Sequence, residues 1–272
     1  MAVKVLGILN LTPDSFSDGG RWVDLDLAVE RAEQMVEQGA DAIDIGGEST
    51  RPGSKEISVQ EELDRVVPCL ERLSEVVDIP ISIDTRRCEV AQAAFNYGVT
   101  IINDTAALRD DPELVDFVVE KGLEVVLMHR KGSPESMQDN PGYADVIGEI
   151  YEFFQSRLDF FTSKGGQRDK VILDPGIGFG KRLVDNFKIA ASLEKFRELG
   201  TRWMLGASRK ACTGALDGSS PADRLPGSLA FVAVAQRSGT DWVRVHDVDE
   251  TVRFLKVLEA IGGAAVDQED QA

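Results

Sequence analysis

Cysteine and histidine are scarce in this chain of 272 residues, which contains three cysteines and two histidines. Cys69, Cys88 and Cys212 are odd in number and far apart, which matches neither a disulfide framework nor the spacing of zinc ligands. His129 and His246 alone cannot build a histidine-rich zinc site. We therefore expect three free thiols and a reducing, cytoplasmic location.

Positive charge and long apolar runs are also lacking. The chain has 30 lysines and arginines against 47 aspartates and glutamates, a formal net charge of -17. Such an acidic body repels polyanions, so we expect no nucleic acid and no membrane as partners. No stretch approaches the roughly 18 apolar residues of a membrane span, and residues 1–10 do not resemble a secretory signal. An anionic substrate must therefore meet a local positive site.

The chain does contain a regular alternation of short, β-branched apolar runs with segments of helical period. The runs predict eight strands, at 3–10, 42–46, 79–85, 100–104, 124–129, 170–174, 203–208 and 242–246. Because eight strand and helix repeats follow without a break in composition, we predict an α/β fold, a single (β/α)8 TIM barrel, over residues 1–263. We expect residues 264–272, which are acidic and contain little that could be buried, to form a flexible tail.

Caps and breakers predict where several helices begin and end. Asp24 and Gly39 are the predicted N-cap and stop of a helix over 25–36, and Ser58 with Glu61 forms a predicted capping box. Further helices are predicted to begin at Pro112, to span 186–198, and to span 251–261 with an end at Gly262 and Gly263.

Almost every predicted strand ends in a polar side chain. A central barrel strand is covered on both faces, so polar ends need a reason. Any one of them could cap a helix or bond a loop, but together they favour an active site at the C-terminal mouth of the barrel. The polar ends are Asn10, the run 48–51, Asp84, Asn103 with Asp104, His129, Asp174, Ser208 and His246.

Three groups of these residues differ in chemistry. Asp84, Asn103 and Asp174 can bind the donor and acceptor edge of a nitrogen-rich neutral ring. Arg51, the run 208–210 and the pair Arg244 and His246 form the local positive site, close to where barrels commonly bind phosphate. The glycine-rich run 174–181 matches neither a P-loop nor a dinucleotide fingerprint. A magnesium ion held by one Asn or Asp oxygen and by substrate phosphates remains compatible with the sequence.

At this point the residues resemble a known family, the dihydropteroate synthases of folate biosynthesis. The segments 7–20 (GILNLTPDSFSDGG) and 44–53 (DIGGESTRPG) are similar to two signatures of that family. Further family motifs follow in order at 82–85, 103–104, 127–129, 174–181, 208–210 and 244–246. The resemblance spans nearly the whole chain.

The resemblance implies condensation of 6-hydroxymethyl-7,8-dihydropterin pyrophosphate with para-aminobenzoate, with magnesium as cofactor, in a homodimer that sulfonamides could inhibit. It assigns catalysis to Asp84, Lys210 and Arg244. It implies a pterin pocket of Asp84, Asn103, Met128, Asp174, Gly178, Gly206 and Lys210. It implies pyrophosphate binding by Asn10, Arg51, Arg244 and His246, with Asn10 also the magnesium ligand. It implies an aminobenzoate pocket of Thr50, Phe179, Ser208 and Ala211. The loops 12–22 and 49–58 are expected to act as lids.

The chain departs from the family pattern at three places, at 105–107, at 130–131 and at 211–212. Because Ala211 and Cys212 lie beside the expected aminobenzoate pocket, we expect reduced sensitivity to sulfonamides and a carboxylate held by the N-terminus of a helix that begins near Ala211.

Two alternatives remain open from the sequence. A methyltetrahydrofolate and corrinoid methyltransferase would share the barrel and the pterin-edge carboxylates but would not need Arg51, Arg244 and His246. A noncatalytic pterin-binding barrel could lose polar strand ends freely, yet no expected ligand position is missing.

Overall fold

Eight parallel strands close into one barrel in chain order, each strand bonded to the next and β8 bonded to β1. The computed structural model describes residues 2–12, 21–49, 53–133 and 135–269, without the side chains of 21–24 and 265–269. This closed topology confirms the predicted single TIM barrel.

The strands are β1 (Lys4–Asn10), β2 (Ala42–Gly46), β3 (Ile81–Asp84), β4 (Ile101–Asp104), β5 (Glu124–Met128), β6 (Val171–Asp174), β7 (Arg202–Leu205) and β8 (Trp242–Val245). The α-helices are α1 (Arg21–Glu37), α2 (Val59–Val76), α3 (Cys88–Phe95), α4 (Pro112–Lys121), α5 (Val146–Ser163), α6 (Leu183–Ala190), α7 (Leu225–Arg237) and α8 (Val248–Glu269). The first and last residues of each predicted strand lie within three positions of those observed.

Apolar side chains fill the barrel in two places. A small cluster inside the strands unites Leu6, Ala42, Ile101, Val126, Ile172, Met204 and Trp242, and a large cluster fills the space between strands and helices. At Gly7 on β1 this outer layer leaves no room, because a Cβ would lie 2.8 Å from Met35 Sδ and 3.2 Å from Val248 Cγ2. Helices α1 and α8 therefore approach β1 closely where the barrel closes.

Two predicted helix starts are borne out by cap geometry. The Ser58 hydroxyl accepts from the backbone N–H of Glu61 at 3.1 Å, and Asp111 caps α4 with Pro112 in its first turn. The Glu61 carboxylate instead pairs with Arg65 one turn later. Side chain and backbone thus agree on where α2 and α4 begin.

Three predicted helix boundaries are wrong. Helix α1 begins at Arg21, so Asp24 lies within the helix and is not the N-cap. The predicted helix 186–198 is α6 followed by a 3-10 helix, Leu193–Leu199, because the backbone at Ser192 (φ -128°, ψ 17°) leaves the helical region. Helix α8 continues past Gly262 and Gly263 to Glu269, since the alanines on both sides favour helix and about 1 kcal/mol per glycine does not end it.

The three cysteines are free and buried, as expected. Burial raises the pKa of the Cys69 thiol to about 12, which makes it unreactive. In the described part of the chain, no helix combines the length and the apolar character that crossing a membrane requires.

Candidate active site

The polar strand ends converge where parallel strands finish together, at the C-terminal mouth of the barrel. At its centre lies an ion-pair network around Arg244 of β8. Arg244 Nε donates to Asp44 at 2.6 Å and Nη2 donates to Asp84 at 2.9 Å, which joins β2, β3 and β8 across the barrel. Asp44 also accepts from Ser82 at 2.6 Å and from Asn103 at 2.9 Å.

Asp44 is the residue of this network that motif reasoning missed. It is fully buried in the middle of β2, so it is no strand end. A signal was present, because a carboxylate inside a strand covered on both faces is costly unless it is paired. The structure shows that partner to be Arg244, 200 positions away in the sequence.

Asp84 is strongly perturbed by this environment. Burial raises its pKa to about 8, the positive charge of Arg244 opposes the rise, and the negative charge of Asp44 adds to it. The negative charge of Asp44 thus disfavours ionisation of Asp84 even though both residues contact the same guanidinium. A ligand that brings N–H donors to Asp84 would favour its charged form.

Asp174 and Lys210 form a second polar pair at the mouth. Asp174 Oδ1 accepts from the backbone N–H of Gly176 at 2.8 Å, and an added Cβ at Gly206 would lie 3.3 Å from Asp174 Oδ2. Burial lowers the pKa of Lys210 to about 8, an effect that Asp174 opposes. Lys210 Nζ donates to the Ile177 carbonyl and lies 4.5 Å from the centre of the Phe179 ring.

Ser208 and His246 meet at the ends of β7 and β8. The Ser208 hydroxyl lies 3.0 Å from His246 Nδ1 and accepts from the backbone N–H of His246 at 3.1 Å. Because its oxygen already accepts from the backbone, its proton is available to Nδ1, which would leave the imidazole proton on Nε2. Arg31 of α1 donates to the His246 carbonyl at 2.9 Å and fixes the backbone there.

Asn10 lies beside Asp84 on the floor of the mouth. The α-carbon of Gly46 separates their side chains: a Cβ there would lie 3.8 Å from Asn10 Oδ1 and 3.4 Å from Asp84 Cβ. Among the described residues, no group of three or more His, Cys, Asp or Glu side chains could hold a metal ion. A magnesium ion at Asn10 would therefore depend on oxygens from water and a ligand, which is how Mg²⁺ is often bound beside phosphates.

Two of the polar strand ends serve the scaffold. His129 is buried against the Phe153 ring and bonded through Nδ1 to Lys181, and burial lowers its pKa to about 2, so it stays neutral. Asp104 accepts from the backbone N–H groups of Ala106 and Leu108 at 2.7 and 2.6 Å and shapes the following loop.

The remaining predicted site residues lie around this centre or outside the described residues. Met128 is buried at the end of β5, Phe179 and Gly178 are half-buried in the loop after β6, and Ala211 is exposed. Thr50 and Arg51 fall outside the described residues, as do parts of both expected lid loops. The expected helix at Ala211 is only a 3-10 helix of four residues, Ala211–Gly214, and α7 begins later, at Leu225. A 3-10 helix of four residues has only a small dipole, so the expectation that a helix N-terminus holds the carboxylate at Ala211 loses its physical basis.

The comparison with protein families decides which of the open alternatives applies. Residues 6–246 match the family model described as pterin binding enzyme. The chain belongs to the pterin-binding enzymes, in the dihydropteroate synthase family. This family membership confirms the resemblance inferred from the motifs and disfavours the methyltransferase and the noncatalytic barrel.

Relatives of this pterin-binding enzyme agree in sequence and structure. It is 44% identical to the dihydropteroate synthase of Escherichia coli K12 over 256 residues, which cover 94% of this chain and 90% of the relative. A Yersinia pestis dihydropteroate synthase solved as a sulfonamide drug complex superposes with a TM-score of 0.91 at 42% identity, covering 96% of this chain and 95% of that one. A Xanthomonas albilineans enzyme in complex with 7,8-dihydropteroate gives 0.87 at 38% identity, covering 96% and 94%.

Proposed function

We propose that this enzyme condenses 6-hydroxymethyl-7,8-dihydropterin pyrophosphate with para-aminobenzoate, releasing 7,8-dihydropteroate and pyrophosphate. The observation that carries the proposal is the buried polar centre at the barrel mouth, in which Asp84 of β3, Asn103 of β4 and Asp174 of β6 lie at the strand ends beside Lys210. Such a set of carboxylate, carboxamide and ammonium groups suits the edge of a pterin ring, which alternates donors and acceptors.

The pterin pocket in this proposal has polar walls and an apolar floor. Asp84, Asp174 and Asn103 bind the ring edge, while Lys210 donates to a ring acceptor. Gly178 and Gly206 keep the space open, since side chains there would meet Lys210 Cδ and Asp174 Oδ2, both at 3.3 Å. Met128 lines the floor from β5.

The pyrophosphate would lie over the β1 and β8 side of the mouth. His246, with its proton on Nε2, would donate to it, and Arg51 would add charge from the loop after β2. Arg244 acts from below: Asp44 and Asp84 occupy its Nε and Nη2, so its role includes orienting these carboxylates. Asn10 and the phosphate oxygens would hold a magnesium ion, which, when bound, would neutralise charge on the leaving group.

Bond making and breaking then follow from the charges. The bond between the pterin methylene carbon and the pyrophosphate oxygen breaks, with the electron pair leaving on pyrophosphate, so positive charge develops on the pterin. The negative charge of the Asp84 carboxylate stabilises this developing positive charge. The aminobenzoate nitrogen donates its lone pair to the methylene and then releases a proton. Fixed charges in a buried site are commonly worth about 3 to 4 kcal/mol for each group removed.

Aminobenzoate would lie against the Phe179 ring, between Ser208, Thr50 and Ala211. Because Cys212 is buried and Ala211 is exposed, Ala211 is the residue of this family departure that is accessible to a ligand. Reduced sulfonamide sensitivity therefore stays a prediction that depends on Ala211. The substituent on the sulfonyl nitrogen extends past the substrate, so an Ala211→Ser hydroxyl would contact the drug more than the substrate. We expect the ratio of the sulfamethoxazole inhibition constant to the aminobenzoate KM to fall in Ala211→Ser, and an unchanged ratio excludes Ala211 as the cause.

The test of the function is a direct assay with the pterin pyrophosphate, para-aminobenzoate and magnesium, in which dihydropteroate and pyrophosphate should form in equal amounts. Asp84→Asn and Lys210→Ala should lower kcat/KM by about a hundredfold or more. Asp159→Asn on α5 and Lys256→Ala on α8 make the same chemical changes at exposed positions of the outer helices, and should leave kcat/KM unchanged. Release of pyrophosphate without dihydropteroate, or near-normal activity in both mouth variants, would contradict the proposal.

A further inference from the structure

The loop between β6 and α6 is fastened through its carbonyl groups. Four consecutive carbonyls each accept a hydrogen bond from a side chain. The donors are Lys210 Nζ to Ile177, Gln138 Nε2 to Gly178 at 2.6 Å, Lys181 Nζ to Phe179 at 3.0 Å, and Tyr143 Oη to Gly180 at 2.8 Å. Loop carbonyls usually face water, so four consecutive carbonyls that accept from side chains indicate that this loop is held in one conformation.

Backbone contacts press the same loop against the end of β5. Gly176 (φ 67°) and Gly180 (φ 63°) adopt left-handed conformations, and an added Cβ would lie 2.0 Å from the His129 carbonyl oxygen and 2.1 Å from that of Lys131. The loop after β5, which also supplies Gln138 and Tyr143, therefore forms one wall behind the segment 176–180. Gln138 and Tyr143 bind the segment to this loop, and Lys181 binds it to the end of β5.

Lys181 is the most deeply buried of the four donor side chains. Its Nζ contacts His129 Nδ1 at 3.0 Å, the His129 carbonyl at 3.2 Å and the Phe179 carbonyl at 3.0 Å. These three contacts use the full hydrogen-bonding capacity of the amine. A long polar side chain is costly to bury, so full satisfaction is required for it to lie there. Its contacts link the end of β5 directly to the backbone of Phe179.

The tethered segment lies at the border of the two substrate pockets. Lys210, assigned to the pterin, donates to Ile177 and lies over the ring of Phe179, assigned to the aminobenzoate. The pterin-edge groups Asp84, Asn103 and Asp174 are instead fixed by the barrel strands themselves. Loosening the segment would therefore displace Phe179 and the neighbouring Gly178, while the carboxylates and the carboxamide that bind the pterin edge stay in place.

We propose that Gln138, Tyr143 and Lys181 are positioning residues, which hold the segment 177–180 so that Phe179 presents the aminobenzoate to a pterin bound at the strand ends. None of the three touches the reacting atoms. Their contribution, which rests on the proposed function, should fall on the second substrate: small misplacements of reactants slow a condensation strongly.

The test compares Tyr143→Phe, and the double variant Gln138→Ala with Tyr143→Phe, with the parent enzyme. Gln138 is exposed and the tyrosine change removes one oxygen, so both variants keep the fold. Loss of each neutral hydrogen bond should raise the aminobenzoate KM about fivefold, with a larger rise in the double variant. The dissociation constant of 6-hydroxymethylpterin, measured by calorimetry without the second substrate, should change less than about twofold. Lys181→Met should show the same pattern more strongly if it folds.

Tyr97→Phe is the matched control, because Tyr97 precedes β4 at the opposite end of the barrel. It should leave both constants unchanged. An unchanged aminobenzoate KM in the double variant overturns the positioning role. A pterin dissociation constant that rises as much as the aminobenzoate KM also overturns it, because such a result would indicate that the whole active site is distorted. A parent enzyme that forms no dihydropteroate would instead contradict the proposed function, so the two failures are distinguishable.

Discussion

At the scale of single residues, the sequence indicated which polar side chains lie at the strand ends better than it indicated their hydrogen-bond partners. Asp84, Asn103 and Asp174 could be found because polar residues at the ends of buried strands are conspicuous. Asp44 carried a signal as a carboxylate inside a covered strand, but its pairing with Arg244 and the second contact of Arg244 could not be predicted, because they join residues 200 and 160 positions apart. Only closure of the barrel brings them together.

Asp84 gives a prediction about stability. Its pKa in the folded protein, about 8, is above the ordinary value of about 3.9 for an unfolded chain. The folded state therefore binds a proton that the unfolded state has released, and the free energy of unfolding falls as pH rises between these values. Asp84→Asn removes this titration, so the variant should gain at least about 1 kcal/mol relative to the parent between pH 5 and pH 9. Urea unfolding at pH 5, 7 and 9 measures it, and a constant difference between the two proteins contradicts it.

At the scale of elements, helix and strand identity followed from periodicity, whereas some helix ends did not. Ser58 and Pro112 predicted starts correctly because capping is a local interaction. Gly262 failed as a stop because its helix has alanine on both sides, and a glycine alone does not end a helix. Backbone geometry at Ser192, which sequence periodicity does not show, divides α6 from the 3-10 helix.

One buried ion pair joins two elements behind the active site. Arg87, before α3, donates to Glu62 of α2 at 2.6 Å, and Glu62 is only 1% exposed. Arg87 also donates to the Ile57 carbonyl and so fastens the segment that leads into α2. Arg87→Met would leave a buried carboxylate without this partner, and the free energy of unfolding should fall by about 3 kcal/mol.

An exposed pair on α8 provides the control for that substitution. Arg253 contacts Asp249 at 3.1 Å, but its side chain is 75% exposed. Because solvent screens such pairs, Arg253→Met should cost less than about 0.5 kcal/mol. Thermal and urea unfolding of both variants measure the contrast. Equal losses in the two variants would show that burial does not set the contribution of Arg87.

At the scale of the whole molecule, the barrel was predictable because eight repeats of one pattern leave few alternatives. The order of the strands and the closure of β8 on β1 follow from that count and from the rule that such connections are right-handed. The network behind the mouth was not predictable in the same way. It depends on which side chains the barrel geometry brings within 3 Å, and no local pattern encodes that distance.

Closure of the barrel also sets where the chain can be shortened. On α8, Val248 lies against β1 and the residues Thr251 and Leu255 are also buried, whereas residues 259–264 are exposed. A chain that ends at Gly263 is cut within this exposed part of α8, so it should keep full activity and a Tm within about 3 °C of the parent. A chain that ends at Glu250 removes the buried residues Thr251 and Leu255 and most of the helix that packs against β1 and α7. It should lose cooperative unfolding, because removal of a packed element exposes core on both sides of the closure. Calorimetry of the two truncated chains measures their Tm and the cooperativity of unfolding. A large fall in Tm for the chain ending at Gly263 would contradict the prediction and show that the last turns of α8 stabilise the folded barrel.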